Sequence, residues 1–208
     1  MMVAYSQIRH ELKNGDIILM SGESVFSWAI RRFTGGSWSH VGMVVKIAEL
    51  DAVLLWESTT SGHPDDHMTP EGQEPKRGVQ LPPLSKRVRD YDGKVSVRQL
   101  DRALNQEEIN KLSAFRHEVK DRDYDYDALQ LLRSAMDEGL FWRNREDLQS
   151  FFCSELVAET YQRIGLLPDE SSAKASNEYT PSDFAPDADP ALPLKGVKLG
   201  PARKLEVG

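Results

Sequence analysis

The chain has little cysteine: among its 208 residues only Cys153 carries a thiol. A disulfide needs two cysteines, so an internal disulfide is excluded, which fits a reducing compartment. Long hydrophobic runs are also absent, and no stretch approaches the ~18 apolar residues of a membrane span. The N-terminal residues include charged side chains such as Arg9 and Glu11 where a signal peptide would have an apolar run. The sequence therefore predicts a cytoplasmic protein with no integral membrane segment.

Positive charge is scarce as well, because 26 lysines and arginines face 33 aspartates and glutamates, for a net charge of −7. Nucleic-acid binders gain most of their affinity by neutralising phosphates, so no nucleic-acid partner is predicted. Two basic clusters, Arg31-Arg32 and Lys86-Arg87-Val88-Arg89, are interpreted as solvated faces. With 39% hydrophobic and 28% charged residues, the chain is predicted to bury a core as one domain over residues 1–208.

The order of the predicted elements indicates the fold class. Short apolar runs bounded by turn residues predict strands within 15–20, 39–47, 52–58, 79–81 and 94–100. Helical spacing and capping signals predict helices at 24–33, 105–120, 127–136 and 153–164. A strand-rich middle followed by helices is an α+β pattern with antiparallel pairing, not the alternation of a doubly wound sheet.

Cys153 lies in the first turn of its predicted helix, on the stripe formed by Leu156, Val157, Thr160, Tyr161 and Ile164. A free cysteine on such a stripe is often a core residue, and this alternative stays open. The first turn of a helix, however, presents unpaired N–H groups and a partial positive charge, which favour a thiolate over a thiol. The backbone N–H of Cys153 would also point toward a developing oxyanion. Cys153 is therefore a candidate nucleophile.

A predicted hairpin brings a histidine and a glutamate together. Alternation places His40 on one face of strand 39–47 and Glu57 on one face of strand 52–58. If the chain turns at Ala48-Glu49, paired positions sum to 97, and position 40 lies opposite position 57. Directly opposed residues share a face with Cβ atoms ~5 Å apart, so Glu57 would hold the imidazole. A half-buried histidine bonded to the backbone is the alternative for His40.

The three candidates fit one geometry. An imidazole oriented by a carboxylate and aimed at a thiol on a helix N-terminus is the Cys–His arrangement for nucleophilic catalysis. It predicts a hydrolase that forms an acyl-enzyme on Cys153, with His40 as base and Glu57 orienting that base. No metal or organic cofactor is required. An acyltransferase would use the same residues, and a groove-binding module that has lost catalysis would carry an inert Cys153.

Two other segments contain residues of the types that bind metals. His63 and His67 flank Pro64, but a proline-containing loop does not hold two histidines on one helical face, and no second cluster completes a shell. The run that begins at Asp121 imitates the start of a calcium loop, but Tyr126 occupies the position where glycine is needed. No metal site is predicted from either segment.

Six segments together resemble a known family. They are Gly15-Asp16-Ile17-Ile18-Leu19, Ser39-His40-Val41-Gly42-Met43-Val44, Glu57, Tyr124-Asp125, Phe152-Cys153-Ser154-Glu155-Leu156-Val157 and Thr180-Pro181-Ser182-Asp183. In these segments the chain resembles the permuted branch of the NlpC-like papain superfamily, the YiiX-like group, over about residues 15 to 185. Order is diagnostic, because unpermuted papain-like enzymes place the cysteine before the histidine, whereas here His40 precedes Cys153.

The resemblance implies a permuted papain-like fold and a cysteine hydrolase of amide or ester bonds, with a small-molecule, lipid or peptide substrate. It implies Glu57 as the acidic third member and Tyr124 as an assistant at the oxyanion site. Two features depart from the family. The stretch between Tyr124 and Cys153 is longer than expected, and the cysteine motif lacks the Asn-Cys-Glu form of lecithin:retinol acyltransferase relatives. Acyl transfer of that type is therefore less supported, and no oligomeric state is predicted.

Overall fold

A computed structural model describes residues 2–23, 27, 31, 36–59, 64–68, 78–121, 153–169 and 174–206. Its strands are β1 (Met2–Ala4), β2 (Ile17–Gly22), β3 (His40–Ile47), β4 (Ala52–Thr59), β5 (Gly78–Gln80), β6 (Gly93–Arg98) and β7 (Arg203–Glu206). The described strands form one seven-stranded sheet in the order β1-β7-β6-β2-β3-β4-β5. Neighbours are antiparallel except β1 and β7, which are parallel. The predicted α+β class is confirmed, and the predicted antiparallel pairing holds for every pair but this one.

The described helices are α1 (Tyr5–Ile8), α2 (Leu84–Asp90), α3 (Gln106–Asp121) and α4 (residues 153–163). Short 3-10 turns occur at Ala48–Leu50, Ser176–Glu178 and Pro181–Phe184. The predicted helix at 127–136 lies outside the described residues, as do all but Ser27 and Arg31 of the one at 24–33. Within the described part of the chain, no helix combines the length and the apolar character needed to cross a membrane.

Helix α3 begins where the sequence predicts, because its first turn is capped from both directions. The backbone N–H of Glu108 donates to Asn105 Oδ1 at 2.9 Å. In return, the backbone N–H of Asn105 donates to Glu108 Oε2 at 2.7 Å. This reciprocal capping box satisfies two N–H groups that the helix itself leaves without acceptors.

Alternation along the strands produces two apolar cores. In β2, Ile17 and Leu19 belong to one core and Ile18 and Met20 belong to the other. The first core contains α4 and includes Val41, Met43, Trp56, Cys153, Val157 and Tyr161. The second contains α2 and includes Val44, Val53, Leu55, Leu84 and Val88. We name the two sides of the sheet the α4 face and the α2 face.

The terminal strands and α2 are absent from the predicted elements. β1 has three residues and β7 has four, which is too short for alternation to be recognised. α2 has seven residues, and its buried positions Leu84 and Val88 are separated by Lys86 and Arg87. The apolar stripe of this basic run packs on the sheet. The interpretation of the 86–89 cluster as a solvated face holds for Arg89, whose side chain is 56% exposed, and is wrong for Arg87, whose side chain is 17% exposed.

Candidate active site

The β3–β4 hairpin carries His40 and Glu57 on the same side. Pairing runs from Ile47 opposite Ala52 to Met43 opposite Trp56, so paired positions sum to 99 rather than the predicted 97. The register prediction is wrong by two residues because the turn is longer than the predicted Ala48-Glu49 turn. A 3-10 turn at Ala48–Leu50 is followed by Asp51 in the left-handed region. An offset of two leaves every side chain on its predicted face, since the side-chain period of a strand is two.

In the observed register, His40 and Glu57 are diagonal neighbours rather than directly opposed. Continuing the pairing places Gly42 opposite Glu57, and His40 lies two residues before Gly42 in β3. His40 Nε2 lies 2.6 Å from Glu57 Oε2, within hydrogen-bonding distance. The contact that the sequence predicts therefore forms, by a diagonal route along one face.

Gly42 keeps the two strands close beside this contact. A Cβ at position 42 would lie 2.8 Å from Leu55 Cδ1 and 3.0 Å from the Trp56 carbonyl oxygen. Both distances are shorter than ordinary van der Waals contacts, and the second involves backbone that cannot rotate away. A side chain here would displace the part of β4 that leads directly into Glu57.

Helix α4 holds Cys153 through contacts along its length. Tyr161 Oη donates to the Gly15 carbonyl oxygen at 2.6 Å and anchors the helix to the segment before β2. Near the thiol, Ser154 Oγ donates to the Tyr179 carbonyl oxygen at 2.5 Å. Cys153 is fully buried and is the first described residue of α4. The position of the thiol is thus set by the sheet at one end of the helix and by the 176–184 segment at the other.

His40 interacts with both Glu57 and Cys153. Burial alone would lower the pKa of His40, but the charge and hydrogen bond of Cys153, followed by those of Glu57, outweigh burial and raise it to about 9. The imidazole is therefore mostly a cation at neutral pH. Its side chain remains 14% exposed, whereas that of Glu57 is fully buried. Because Nε2 faces the carboxylate, Nδ1 is the ring nitrogen left for the thiol.

Glu57 is ionised although it is buried. Burial alone would raise its pKa, but the positive charge of Arg87, then the hydrogen bond and charge of His40, lower it to about 2. Arg87 Nη2 donates to Glu57 Oε2 at 3.0 Å, and Arg87 Nε lies 2.6 Å from Glu57 Oε1. The carboxylate is consequently held between two cationic groups.

Arg87 is the site residue that sequence reasoning missed. It belongs to the basic cluster of α2, where its side chain is only 17% exposed while that of Arg89 is 56% exposed. Its guanidinium also lies over the ring of Tyr91, 5.7 Å from the ring centroid. The signal that could have revealed it is spacing, because Leu84 and Val88 mark the buried stripe of a helix and Arg87 lies beside that stripe.

The other residues singled out from the sequence lie either outside the described residues or in the 64–68 segment. Tyr124 and His63 lie outside the described residues. Asp66 accepts hydrogen bonds from the backbone N–H groups of Met68 and Leu81, at 3.0 and 2.7 Å, so it shapes a loop. Across the described ranges, no group of three or more histidine, cysteine, aspartate or glutamate side chains is arranged to hold a metal ion.

Comparison with known proteins identifies the family. A family described as permuted papain-like amidase enzymes, YaeF/YiiX, C92 family, matches residues 11–183. Among solved structures, the chain is similar to that of metalloprotein yiiX from Escherichia coli O157:H7, with 23% sequence identity and a TM-score of 0.46. The match covers 74% of this chain and 66% of that chain, so this chain spans slightly less than two thirds of its length. Curated proteins give no significant match.

The family match extends over the greater part of the chain, including β2, the β3–β4 hairpin, α2, α3 and α4. It includes His40 and Cys153 in the permuted order that the sequence shows. The chain therefore belongs to the YaeF/YiiX, C92 family of permuted papain-like amidases.

Proposed function

We propose that the chain hydrolyses an amide bond through an acyl-enzyme on Cys153, with His40 as the proton carrier and Glu57 orienting the imidazole. The observation that carries the proposal is the double engagement of His40. Its Nε2 lies 2.6 Å from Glu57 Oε2, and its ring also hydrogen-bonds with Cys153. A base that is oriented by a third group and in contact with a thiol is the arrangement needed for nucleophilic catalysis.

In the first half-reaction, His40 holds the proton of the Cys153 thiol, and the thiolate attacks the carbonyl carbon of the substrate. The C–N bond breaks as His40 donates this proton to the leaving amine, and a thioester remains on Cys153. In the second half-reaction, His40 takes a proton from water, and the resulting hydroxide attacks the thioester. The C–S bond then breaks and releases a carboxylic acid. One amide and one water are consumed, and one acid and one amine are produced.

The negative charge on the carbonyl oxygen needs hydrogen-bond donors during both attacks. The backbone N–H of Cys153 is one proposed donor, because it adjoins the attacking sulfur and a backbone N–H aimed at the developing oxyanion stabilises it. Tyr124 is the second proposed donor, on the basis of the family resemblance alone. The two donors would share the charge at the point where the thiol attacks.

The substrate is proposed to be an acyl-lipid or a peptide, and the same thioester chemistry would accept an ester in place of an amide. The yiiX structure is described as that of a metalloprotein. The described residues of this chain offer no cluster of three or more metal-binding side chains, and the proposed reaction includes no metal step. The whole chain is proposed to act as a single domain.

Alkylation of the thiol by iodoacetamide tests the proposal without a known substrate. With one cysteine in the chain, every labelling event falls on Cys153. An ordinary thiol is only about 3% thiolate at pH 7, so an activated thiolate reacts up to about 30-fold faster. We expect the native protein to be alkylated faster than the His40→Ala variant by a factor approaching this limit.

His10→Ala is the matched control, because His10 is an exposed histidine distant in sequence from the site. It should leave the alkylation rate unchanged. In addition, Cys153→Ala should abolish hydrolysis across a panel of N-acyl amides and peptides while the circular dichroism spectrum stays native. Equal alkylation rates in the native protein and His40→Ala, or undiminished hydrolysis by Cys153→Ala, would contradict the proposal.

A further inference from the structure

Helix α2 presents two arginines in different environments. The Arg89 side chain is 56% exposed and pairs with the neighbouring Asp90. The Arg87 side chain is 17% exposed and extends to Glu57, whose side chain is fully buried. An exposed ion pair of neighbours is of little consequence, whereas a cation brought to a buried carboxylate changes the state of that carboxylate.

The guanidinium of Arg87 engages both oxygens of Glu57. Nε lies 2.6 Å from Oε1, and Nη2 donates to Oε2 at 3.0 Å. Oε2 is also the oxygen that lies 2.6 Å from His40 Nε2. The Nη2 contact is a hydrogen bond, whereas the Nε–Oε1 contact is a close ion pair without hydrogen-bond geometry. Together they hold the carboxylate so that Oε2 faces the imidazole.

Charges alternate along this row of residues. Arg87 is positive, Glu57 negative and His40 positive, and the row continues to Cys153, which becomes negative when it gives its proton to His40. The four charges sum to zero, so the row is buried without an unbalanced charge. Without Arg87, the same burial would leave one negative charge in excess. The least costly relief is protonation of Glu57, after which it no longer stabilises the imidazolium.

We infer that Arg87 is a positioning residue of this site: it keeps Glu57 ionised and aligned, so that His40 can hold the thiol proton of Cys153. This inference rests on the proposed function. Arg87 touches neither the thiol nor the substrate in this assignment and acts only through Glu57. Lysine would supply the charge but not the two-point contact, because a guanidinium is a planar fork and an ammonium is a point charge.

Among the described residues, few charged groups surround Glu57. From β3 it meets His40, and from α2 it meets Arg87. Beyond the guanidinium lie Asp90 and Tyr91, and burial raises the pKa of the Tyr91 phenol, which keeps it neutral. The dominant lowering effect on the Glu57 carboxyl pKa is the charge of Arg87. Loss of that charge therefore raises the pKa of Glu57, toward the pH range in which alkylation of the thiol is readily measured.

The test is the pH profile of iodoacetamide alkylation in Arg87→Met, with Arg89→Met as the matched control on the same helix. We expect the native protein and Arg89→Met to share one profile. In Arg87→Met the acidic limb should move upward, and at a fixed pH on that limb the rate should fall about tenfold for each pH unit of displacement. Arg87→Lys should give an intermediate displacement, since the charge returns without the fork.

A role limited to folding would lower the melting temperature of Arg87→Met without moving the profile of its folded fraction. If Arg87→Met does not fold, the comparison is made in the Glu57→Gln background, where no buried carboxylate needs a counter-charge. There, adding Arg87→Met should shift the profile no further, because Arg87 acts through Glu57.

An Arg87→Met profile that coincides with that of Arg89→Met would overturn the inference, and so would a further shift in the Glu57→Gln background. The proposed function fails separately, through equal alkylation rates in the native protein and His40→Ala. The two failures are therefore distinguishable.

Discussion

Two regions of this molecule each bury an arginine, and they give it different partners. On the α2 face, Arg87 meets the carboxylate of Glu57. At the end of β6, the Arg98 guanidinium instead donates to four backbone carbonyl oxygens at 2.8 to 3.0 Å, those of Phe184, Ala185, Leu199 and Gly200. The first arginine lies next to the candidate catalytic residues, and the second joins the C-terminal segment to the sheet.

The partner determines what a buried cation does. Burial lowers the pKa of Arg98, with only partial compensation from Tyr161 and Asp187. For Arg87 burial also acts to lower the pKa, but the charge and hydrogen bond of Glu57 reverse the direction and raise it. Arg98, bonded to carbonyl oxygens, therefore connects two segments of the chain, whereas Arg87, paired with a carboxylate, keeps that carboxylate ionised. The first role is measured as stability and the second as a pH profile.

Arg98→Met should give the largest loss of stability, and it tests the role of Arg98 in joining the C-terminal segment to the sheet. The variant removes four hydrogen bonds from a charged donor and leaves buried carbonyl groups without it. We expect the free energy of unfolding to fall by about 4 kcal/mol, since hydrogen bonds to charged groups are each worth about 1.5–3 kcal/mol and are not fully additive. Urea unfolding followed by tryptophan fluorescence measures the change.

The pH profile of Cys153 alkylation in the folded fraction of Arg98→Met should stay native. Arg98→Lys is the conservative companion, and it should recover part of the stability because the charge can still reach some carbonyl oxygens. A displaced alkylation profile in either variant would show that the two buried arginines do not have separate roles.

Glu57→Gln tests whether Glu57 carries a buried charge, through the free energy of unfolding at acid pH. The folded-state pKa of Glu57, about 2, lies below its ordinary value of 4.5. A lowered pKa contributes stability that is present above the ordinary value and is lost as the pH falls through the folded value. The difference corresponds to about 3 kcal/mol. We therefore expect the native protein to lose about this much between roughly pH 4.5 and pH 2 and Glu57→Gln to lack that part of the loss.

Urea unfolding at a series of pH values measures both curves. Glu107→Gln is the matched control, because Glu107 on α3 is an exposed carboxylate with a 76% exposed side chain paired to Lys111. It should follow the native curve. A Glu57→Gln curve parallel to the native one across this acid range would mean that Glu57 does not carry the buried charge.

Much of the site could be predicted because it depends on local pattern. Alternation predicts that His40 and Glu57 lie on one side of a hairpin. The error in register is two residues, which equals the side-chain period of a strand, so it leaves both side chains on that side. The capping box at Asn105 and Glu108 gave the start of α3 correctly, since its donors and acceptors are three residues apart. Features decided within a few neighbouring residues are readable from the sequence.

Arg87 could not be predicted in the same way, because its burial depends on where a seven-residue helix packs. The sequence shows that residues 86–89 are basic, but it does not show that one of them meets a carboxylate thirty positions earlier. The pairing of β1 with β7 joins the two ends of the chain and is equally non-local. Helical spacing places Arg87 beside the buried stripe of α2, but the partner of such a residue follows only from the assembled sheet.

Arg89→Met should have the smallest effect and gives the comparison its baseline. Arg89 lies two residues from Arg87 in the same basic cluster, yet it is exposed and its hydrogen bonds go to the adjacent Asp90. Exposed ion pairs contribute little, because water and salt screen them and the side chains lose entropy in pairing. We expect no measurable change in the midpoint of urea unfolding or in the alkylation profile. If Arg89→Met shifted that profile as far as Arg87→Met, the overall charge of α2, rather than the contact with Glu57, would control the site.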